Sequence, residues 1–351
     1  MSNSTPLLGT ILVGDVRYQL RRVSDQSIDC AVTSPPYFRL RDYGEGRQIG
    51  LEGHIDDWVQ AIRASCVEVA RVLVPTGTLW LNLGDTYSTH LRQGAARKSL
   101  MLGPERVAFA LQRDGWIIRN RVIWAKSNTV PSAVQDRLST TYEVVYLLAR
   151  QPRYYFDLNA IRQPHTSTGA KRTPVDSPVW ARPEARPSWL GPNSDGNSGL
   201  AAMHKAGIVG HPLGKNPGDV WRMSVSRFRG AHFATYPEHL VDRMIRAGCP
   251  EARCRTCRLP WRRPVDRVGQ VVNVLPLAPT CPCSPLSEAG TVIDPFMGSG
   301  TTAVVAESLG RGWIGCELNP DYVAMAWNRI NEARDQRART QSINNKRKEV
   351  T

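Results

Sequence analysis

No stretch of this 351-residue chain is long and apolar enough to cross a bilayer. No apolar run follows a basic start. The expectation is therefore a soluble, cytoplasmic protein with no membrane partner. No internal repeat is visible. Aromatic residues are few, at 7%, yet hydrophobic residues reach 41%, enough for a large core. The length suits one large domain with insertions, or two domains. Acidic residues are scarce: 31 Asp and Glu stand against 45 Lys and Arg, leaving a net charge of +14. That balance favours a polyanionic partner. From Arg150 to Arg267 there are 20 basic and 9 acidic residues, so most of the excess sits in one segment. Eight cysteines without a secretory signal argue against a disulfide framework.

Residues 9–160 read as ordered α/β structure. TILVGD (10–15) and SIDCAVT (27–33) look like short buried strands. In 55–73, Trp58, Ile62, Cys66, Val69 and Leu73 share one helical face. Pro75 and Gly77 should stop that helix before a strand, TLWLNL (78–83). A helix near 104–114 precedes strands at 116–126 and 141–150. This alternation predicts a doubly wound, mostly parallel sheet covered on both faces. Residues 161–219 differ: from 163 onward proline and glycine recur, Trp180 and Trp189 are isolated, and long loops are expected. Helical spacing returns at 237–248. A Cys-rich insert spans 249–283 within a segment that runs from 220 to 330. Residues 331–351 read as a basic, flexible tail.

TVIDPFMGSGTTAVVAESLGRGWIGCELNP, residues 291–320, carries the strongest signal. TVID is an apolar strand, Gly298 and Gly300 bracket a turn, and Thr301 and Thr302 can cap the following helix. Glycine is needed where a ligand approaches the backbone. Glu317 lies at the end of the next strand, at the offset of a carboxylate that grips ribose hydroxyls. The dinucleotide form would require a third glycine where Ala303 stands, and a Walker A loop would require a lysine after Gly300. With Asp294 and Phe296 before the glycines, the loop suits a nucleoside carrying an amino acid. Asp294 is placed to pair with an ammonium, and helix-start amides with a carboxylate.

DPFMGSGTT taken with TSPPY (33–37), catalytic motif first and cofactor loop last, resembles the β group of S-adenosylmethionine-dependent amino DNA methyltransferases. The resemblance covers most of 9–160 and 215–330. It implies a Rossmann-like methyltransferase sheet in circularly permuted order, with 161–219 as the target-recognition region. It also implies S-adenosylmethionine as cofactor, double-stranded DNA as substrate and a bacterial or phage-infected host cell; a cognate restriction endonuclease is an expected partner. VGDVRYQL resembles the motif whose aspartate, here Asp15, faces the cofactor adenine. The resemblance gives Ser34 Oγ and the Pro35 carbonyl as acceptors for the target amine, which localise its lone pair. Pro35 and Pro36 hold that carbonyl rigid, and Tyr37 would stack on an extruded base. Transfer is a direct in-line displacement. Ser34 in the first position favours cytosine N4 over adenine N6. Adenine N6, an RNA amine, and a noncatalytic DNA-binding protein on this fold stay open as alternatives. A C5-cytosine enzyme is disfavoured, because the sole Pro-Cys pair, Pro282-Cys283, belongs to the cysteine cluster.

C-x-x-C at Cys254 and Cys257, with C-x-C at Cys281 and Cys283, suits one tetrahedral structural zinc, and Cys249 is an alternative ligand. Asn82 and Asp85, at the end of a strand expected beside SPPY, are candidate site-lining residues. Arg39, Arg41, Arg227 and Arg229 are candidate DNA phosphate contacts. His232 reads more readily as a packing residue than as a ligand contact.

Overall fold

The computed structural model describes residues 7–129, 132–165, 211, 213–225, 236–268, 271–283 and 286–349. Most of the expected recognition region, with Trp180 and Trp189, lies outside them, as do Arg227, Arg229 and His232.

Among the described residues, eight strands form one sheet: β1 (Thr10–Val13), β2 (Ile28–Thr33), β3 (Leu73–Leu83), β4 (Ile117–Lys126), β5 (Tyr142–Ala149), β6 (Val220–Met223), β11 (Thr291–Asp294) and β12 (Gly312–Glu317). Their spatial order is β1-β12-β11-β2-β3-β5-β4-β6. Five of the seven pairings are parallel, but β5 runs antiparallel to both β3 and β4. The sheet is thus mixed. The reason is local: no helix occurs among the described residues between Lys126 and Tyr142, so the chain returns directly beside the strand it has left.

Helices cover both faces. They are α1 (Val16–Gln19), α2 (Ile55–Val72), α3 (Gly103–Arg113), α4 (Glu238–Gly248), α5 (Thr301–Ser308) and α6 (Pro320–Glu349). Alternate strand residues feed two cores. Leu12, Ala31, Leu79, Leu81, Ile293 and Ile314 pack with α2 and α3, through Trp58, Ile62, Val69, Val107 and Leu111. Ile11, Cys30, Val32, Trp80, Val292 and Trp313 pack with α4, α5 and α6, through Leu240, Ile245, Val305 and Ile330.

Two boundaries depart from expectation. α2 stops at Val72 and β3 begins at once, passing through Pro75 and Gly77 to Leu83. Burial of Leu73 and Val74, and pairing of Leu73 with Ile28, outweigh the helical spacing. The tail expected to be flexible from 331 instead continues α6 to Glu349, and Arg334 and Arg337 pair with Glu307.

The Cys-rich insert carries β7 (Arg253–Cys254), the hairpin β8 (Val265–Val268) and β9 (Val271–Val274), and β10 (Ser287–Glu288). It is clamped to the amino end of β2. Buried Arg253 donates to Asp29 at 2.7 Å, to the Ser27 carbonyl at 2.8 Å and to Glu288 at 2.8 Å. Asp29 also accepts from the Thr291 amide at 2.8 Å. Burial pushes the Asp29 carboxyl up to about 6, against the pull of Arg253. β11 and β2 are parallel neighbours whose following strands lie on opposite sides, β12 beside β11 and β3 beside β2, and the carboxyl ends of these two strands, on the opposite edge from the insert, flank a crevice. Such a switch point is where open α/β sheets bind ligands.

Candidate active site

A cleft of about 430 Å³ opens at that edge. One wall comes from Ser34, Pro35, Pro36 and Tyr37, which follow β2. Asn82 (end of β3), Lys126 (end of β4) and Glu143 (start of β5) complete it. The other wall comes from Asp15, Phe296, Gly298, Thr301 and Glu317. The two motifs, some 260 residues apart in sequence, therefore face one cavity. A hydrogen bond of 2.7 Å from Thr33 Oγ1 to Asp294 Oδ1 ties their strands together.

On the glycine-loop wall, Gly298 has φ +53° and open space where a Cβ would stand. A side chain there would be strained and would project into the cleft. Glu317 accepts from the amides of Gly298 at 2.8 Å and Asn319 at 2.9 Å, and burial raises its pKa above the usual carboxylate range. Asp15 caps α1 and is gripped by Arg17, through its amide at 2.9 Å and its Nε at 3.0 Å. Burial pushes the Asp15 carboxyl up, but the Arg17 bonds prevail and its pKa is lowered.

Three assignments on this loop change. Asp294 does not line the cleft. It is fully buried, and its oxygens already accept from Thr33 Oγ1, the Phe296 amide (3.0 Å), Tyr236 Oη (2.8 Å) and Thr302 Oγ1 (2.5 Å). Its role is to organise the loop, and no acceptor is left over for a ligand ammonium. Gly300, at φ +82°, serves close packing, since a Cβ there would meet Ala326 at 3.0 Å. Neither threonine caps α5; the N-cap is Gly300 itself. Thr302 is spent on Asp294, and Thr301 Oγ1 accepts from Arg329 at 2.9 Å.

On the opposite wall the prolines orient two carbonyls. That of Pro36 accepts from Trp58 Nε1 at 2.9 Å. Among the described residues nothing donates to that of Pro35. Tyr37 lies against Gly84, where a Cβ would come within 2.5 Å of its ring. Its hydroxyl donates to Glu143 Oε2 at 2.5 Å and sits 3.2 Å from Ser34 Oγ. Asn82 Nδ2 faces Glu143 Oε2 at 2.7 Å, Tyr37 Oη at 2.8 Å and Ser34 Oγ at 3.2 Å. Lys126 Nζ holds Glu143 Oε1 at 2.6 Å. Burial, then the Glu143 charge, raises the Tyr37 pKa well above the ordinary phenol value.

Sequence reading singled out Asn82 and missed Lys126 and Glu143. Both sit at strand ends on the cleft edge, a position that could have flagged them. Asp85 plays a turn role: it accepts from the amides of Thr86 at 2.9 Å and Gly103 at 3.1 Å. Arg41 lines the cleft, whereas Arg39 is exposed and reaches the Glu52 carbonyl at 3.2 Å. A second depression, about 570 Å³, opens beyond the ends of β4 and β6. It is lined by Arg162, Arg222, Arg243, Arg246 and His239, with Asp242 as its one acid among the described residues.

The Sγ atoms of Cys254, Cys257, Cys281 and Cys283 all lie within 4.8 Å of one another. Cys249 is not part of this group; it is buried, and its Sγ contacts the Pro250 carbonyl at 3.9 Å. No described helix is long and apolar enough to cross a membrane.

A profile of the N6_N4_Mtase family, described as DNA methylase, matches residues 28–328. The type II methyltransferase M.SmaI of Serratia marcescens is 31% identical over 341 residues, spanning 91% of this chain and 90% of that protein. M.Cfr9I of Citrobacter freundii is 31% identical over 342 residues, spanning 92% and 87%. Among solved structures, the PvuII cytosine-N4-specific DNA methyltransferase shares the fold with a TM-score of 0.55 at 18% identity, covering 93% of this chain and 91% of that one. A Thermus thermophilus protein described as a putative DNA modification methylase, solved with S-adenosyl-L-methionine, does so with a TM-score of 0.51 at 19% identity, covering 92% and 95%. With a single cleft bringing the SPPY and glycine-loop motifs together, the chain belongs to the N6/N4 DNA methylase family and is an S-adenosylmethionine-dependent, site-specific amino-methyltransferase of the N4-cytosine/N6-adenine class.

Proposed function

We propose that this enzyme methylates the exocyclic N4 amine of a cytosine flipped out of double-stranded DNA, as the modification partner of a restriction endonuclease. The observation that carries the reading is the serine hydroxyl of Ser34 beside the carbonyl of Pro35, to which nothing among the described residues donates, at the cleft wall. The amine's two hydrogens need two acceptors to localise the nitrogen lone pair, and these two oxygens supply them without a charge. The residues fit the cofactor. Gly298 leaves the backbone bare for close approach, Glu317 offers remaining lone pairs to ribose hydroxyls, and Asp15 stands on the same wall. When bound, S-adenosylmethionine supplies an electrophilic methyl. Ser34 and Pro35 aim the amine at it, and Tyr37 borders the base. The glycine-loop motif following the catalytic motif in the chain supports the permuted, β-group order.

Duplex DNA is favoured by the net charge of +14 and by the arginine-lined depression on the cleft edge. Affinity should fall steeply with salt. Digestion of methylated DNA to nucleosides, followed by mass spectrometry, tests the base assignment. N6-methyladenine in place of N4-methylcytosine would overturn it.

The four cysteines fit one structural zinc. Tetrahedral ligation with Zn–S near 2.3 Å places sulfurs about 3.8 Å apart, within the observed spread. Four thiolates leave no open position, and the insert sits at the opposite sheet edge from the cleft, so the ion would have no catalytic step. One zinc per chain by metal analysis is expected. Cys254→Ser should lose the metal and lower the melting temperature. Metal-free protein of unchanged stability would contradict the assignment.

A further inference from the structure

Resting on the amino-methyltransferase reading, we propose that Glu143 is the terminal proton acceptor of a relay that runs from the target amine through Ser34 and Tyr37. The direction of the relay follows from valence. Glu143, paired with the Lys126 ammonium at 2.6 Å, is a carboxylate and only accepts. Tyr37 therefore donates its single hydroxyl hydrogen to Glu143 Oε2, at 2.5 Å. Across the 3.2 Å contact between Tyr37 Oη and Ser34 Oγ, the serine must then be the donor. Its own hydrogen spent, Ser34 turns an oxygen lone pair to the cleft, where the amine arrives. Asn82 locks the arrangement. Its amide nitrogen faces all three oxygens at 2.7–3.2 Å, and the reversed amide would set its oxygen against a carboxylate.

The step balances. The amine lone pair forms the N–CH3 bond as the S–CH3 bond breaks and its electron pair stays on sulfur. The nitrogen's proton passes to Ser34 as the Ser34 proton passes to Tyr37 and the Tyr37 proton to Glu143. The products are a neutral methylamine, a thioether and a protonated Glu143. Burial keeps the Tyr37 hydroxyl protonated at rest, as a relay requires. Glu143 does not touch the substrate and acts through two hydroxyls. Lys126 is its counter-charge.

The test uses Glu143→Gln, Tyr37→Phe and the double variant, with S-adenosylmethionine and unmodified duplex DNA. Single-turnover transfer should fall about 100-fold in each single variant, within the range for acid–base catalysis. Equilibrium binding of cofactor and of DNA should stay within about twofold of wild type. The double variant should be little slower than either single one, because both break one chain. In protein carrying 13Cζ-labelled tyrosine, Tyr37 should ionise at lower pH in Glu143→Gln than in wild type. Wild-type transfer rates in Glu143→Gln, losses that multiply in the double variant, or an unmoved Tyr37 titration would each overturn the relay. If Glu143→Gln does not fold, Tyr37→Phe decides by itself, and full activity there overturns it. A wild-type protein that methylates no DNA would overturn the functional reading and the relay with it. Active wild type with equally active variants overturns the relay alone.

Discussion

The two walls of the cleft satisfy their polar groups in different ways. On the glycine-loop wall many partners are near in sequence: Asp294 is bonded by Phe296 and Thr302 as well as by distant Thr33 and Tyr236, and Glu317 by Gly298 and Asn319. On the SPPY wall, Ser34 and Tyr37 are held by Asn82 and Glu143, and Glu143 by Lys126, from three further strands. The first wall is built largely around one stretch of chain, tied to the rest by Thr33 and Tyr236, and shapes a binding surface. The second exists only once the sheet has aligned the ends of β2, β3, β4 and β5. Cofactor binding and chemistry should therefore separate under mutation.

The sharpest break comes from Ser34→Ala. Without its hydroxyl the amine loses one acceptor and the route to Tyr37. Transfer should fall about 1000-fold while cofactor affinity, measured by equilibrium dialysis, stays unchanged. A matching loss of cofactor binding would mean the walls are not independent. The converse is Gly298→Val. A β-branched residue at φ +53° is strained and fills the cleft, so the cofactor Kd should rise about tenfold or more. The Tyr37 titration should not move. Unchanged cofactor affinity would remove Gly298 from the binding surface.

The smallest effect on activity belongs to Asp29, at the far edge of the sheet. Its folded value, about 6 against an ordinary 3.8, means the folded protein binds this proton more tightly than the unfolded chain does. The contribution is fully present below about pH 4 and lost as pH rises through about 6, a span of about 3 kcal/mol. The stability advantage of wild type over Asp29→Asn, from denaturant titrations, should be larger near pH 4 than near pH 7. An advantage that grew with pH would reverse the sign of the burial effect.

This division also explains what could be read in advance. The loop DPFMGSGTT and Glu317 were legible because their residues interact over short sequence distances, and strand, turn and helix signals coincide there. SPPY was legible as a motif, but its supporting cast was not. Nothing in the period or composition of strands β4 and β5 distinguishes Lys126 and Glu143 from ordinary charged strand ends. Their importance depends on antiparallel pairing that puts Trp124 opposite Glu143 and Asn82 opposite Val145. Asp294 was overread for the same reason. Its burial and four donors, one of them Thr33 from the other motif, are tertiary facts. The four cysteines converge as their spacing suggested, while the Arg253–Asp29 clamp that seats them, linking positions 224 residues apart, was invisible.

The most direct test of the central claim is to incubate the purified protein with S-adenosylmethionine and unmodified genomic DNA and identify the methylated nucleoside by mass spectrometry. The account predicts N4-methylcytosine, formed about 1000-fold more slowly in Ser34→Ala. N6-methyladenine would contradict the base assignment drawn from Ser34, and the absence of any methylated nucleoside would contradict the catalytic reading of the cleft.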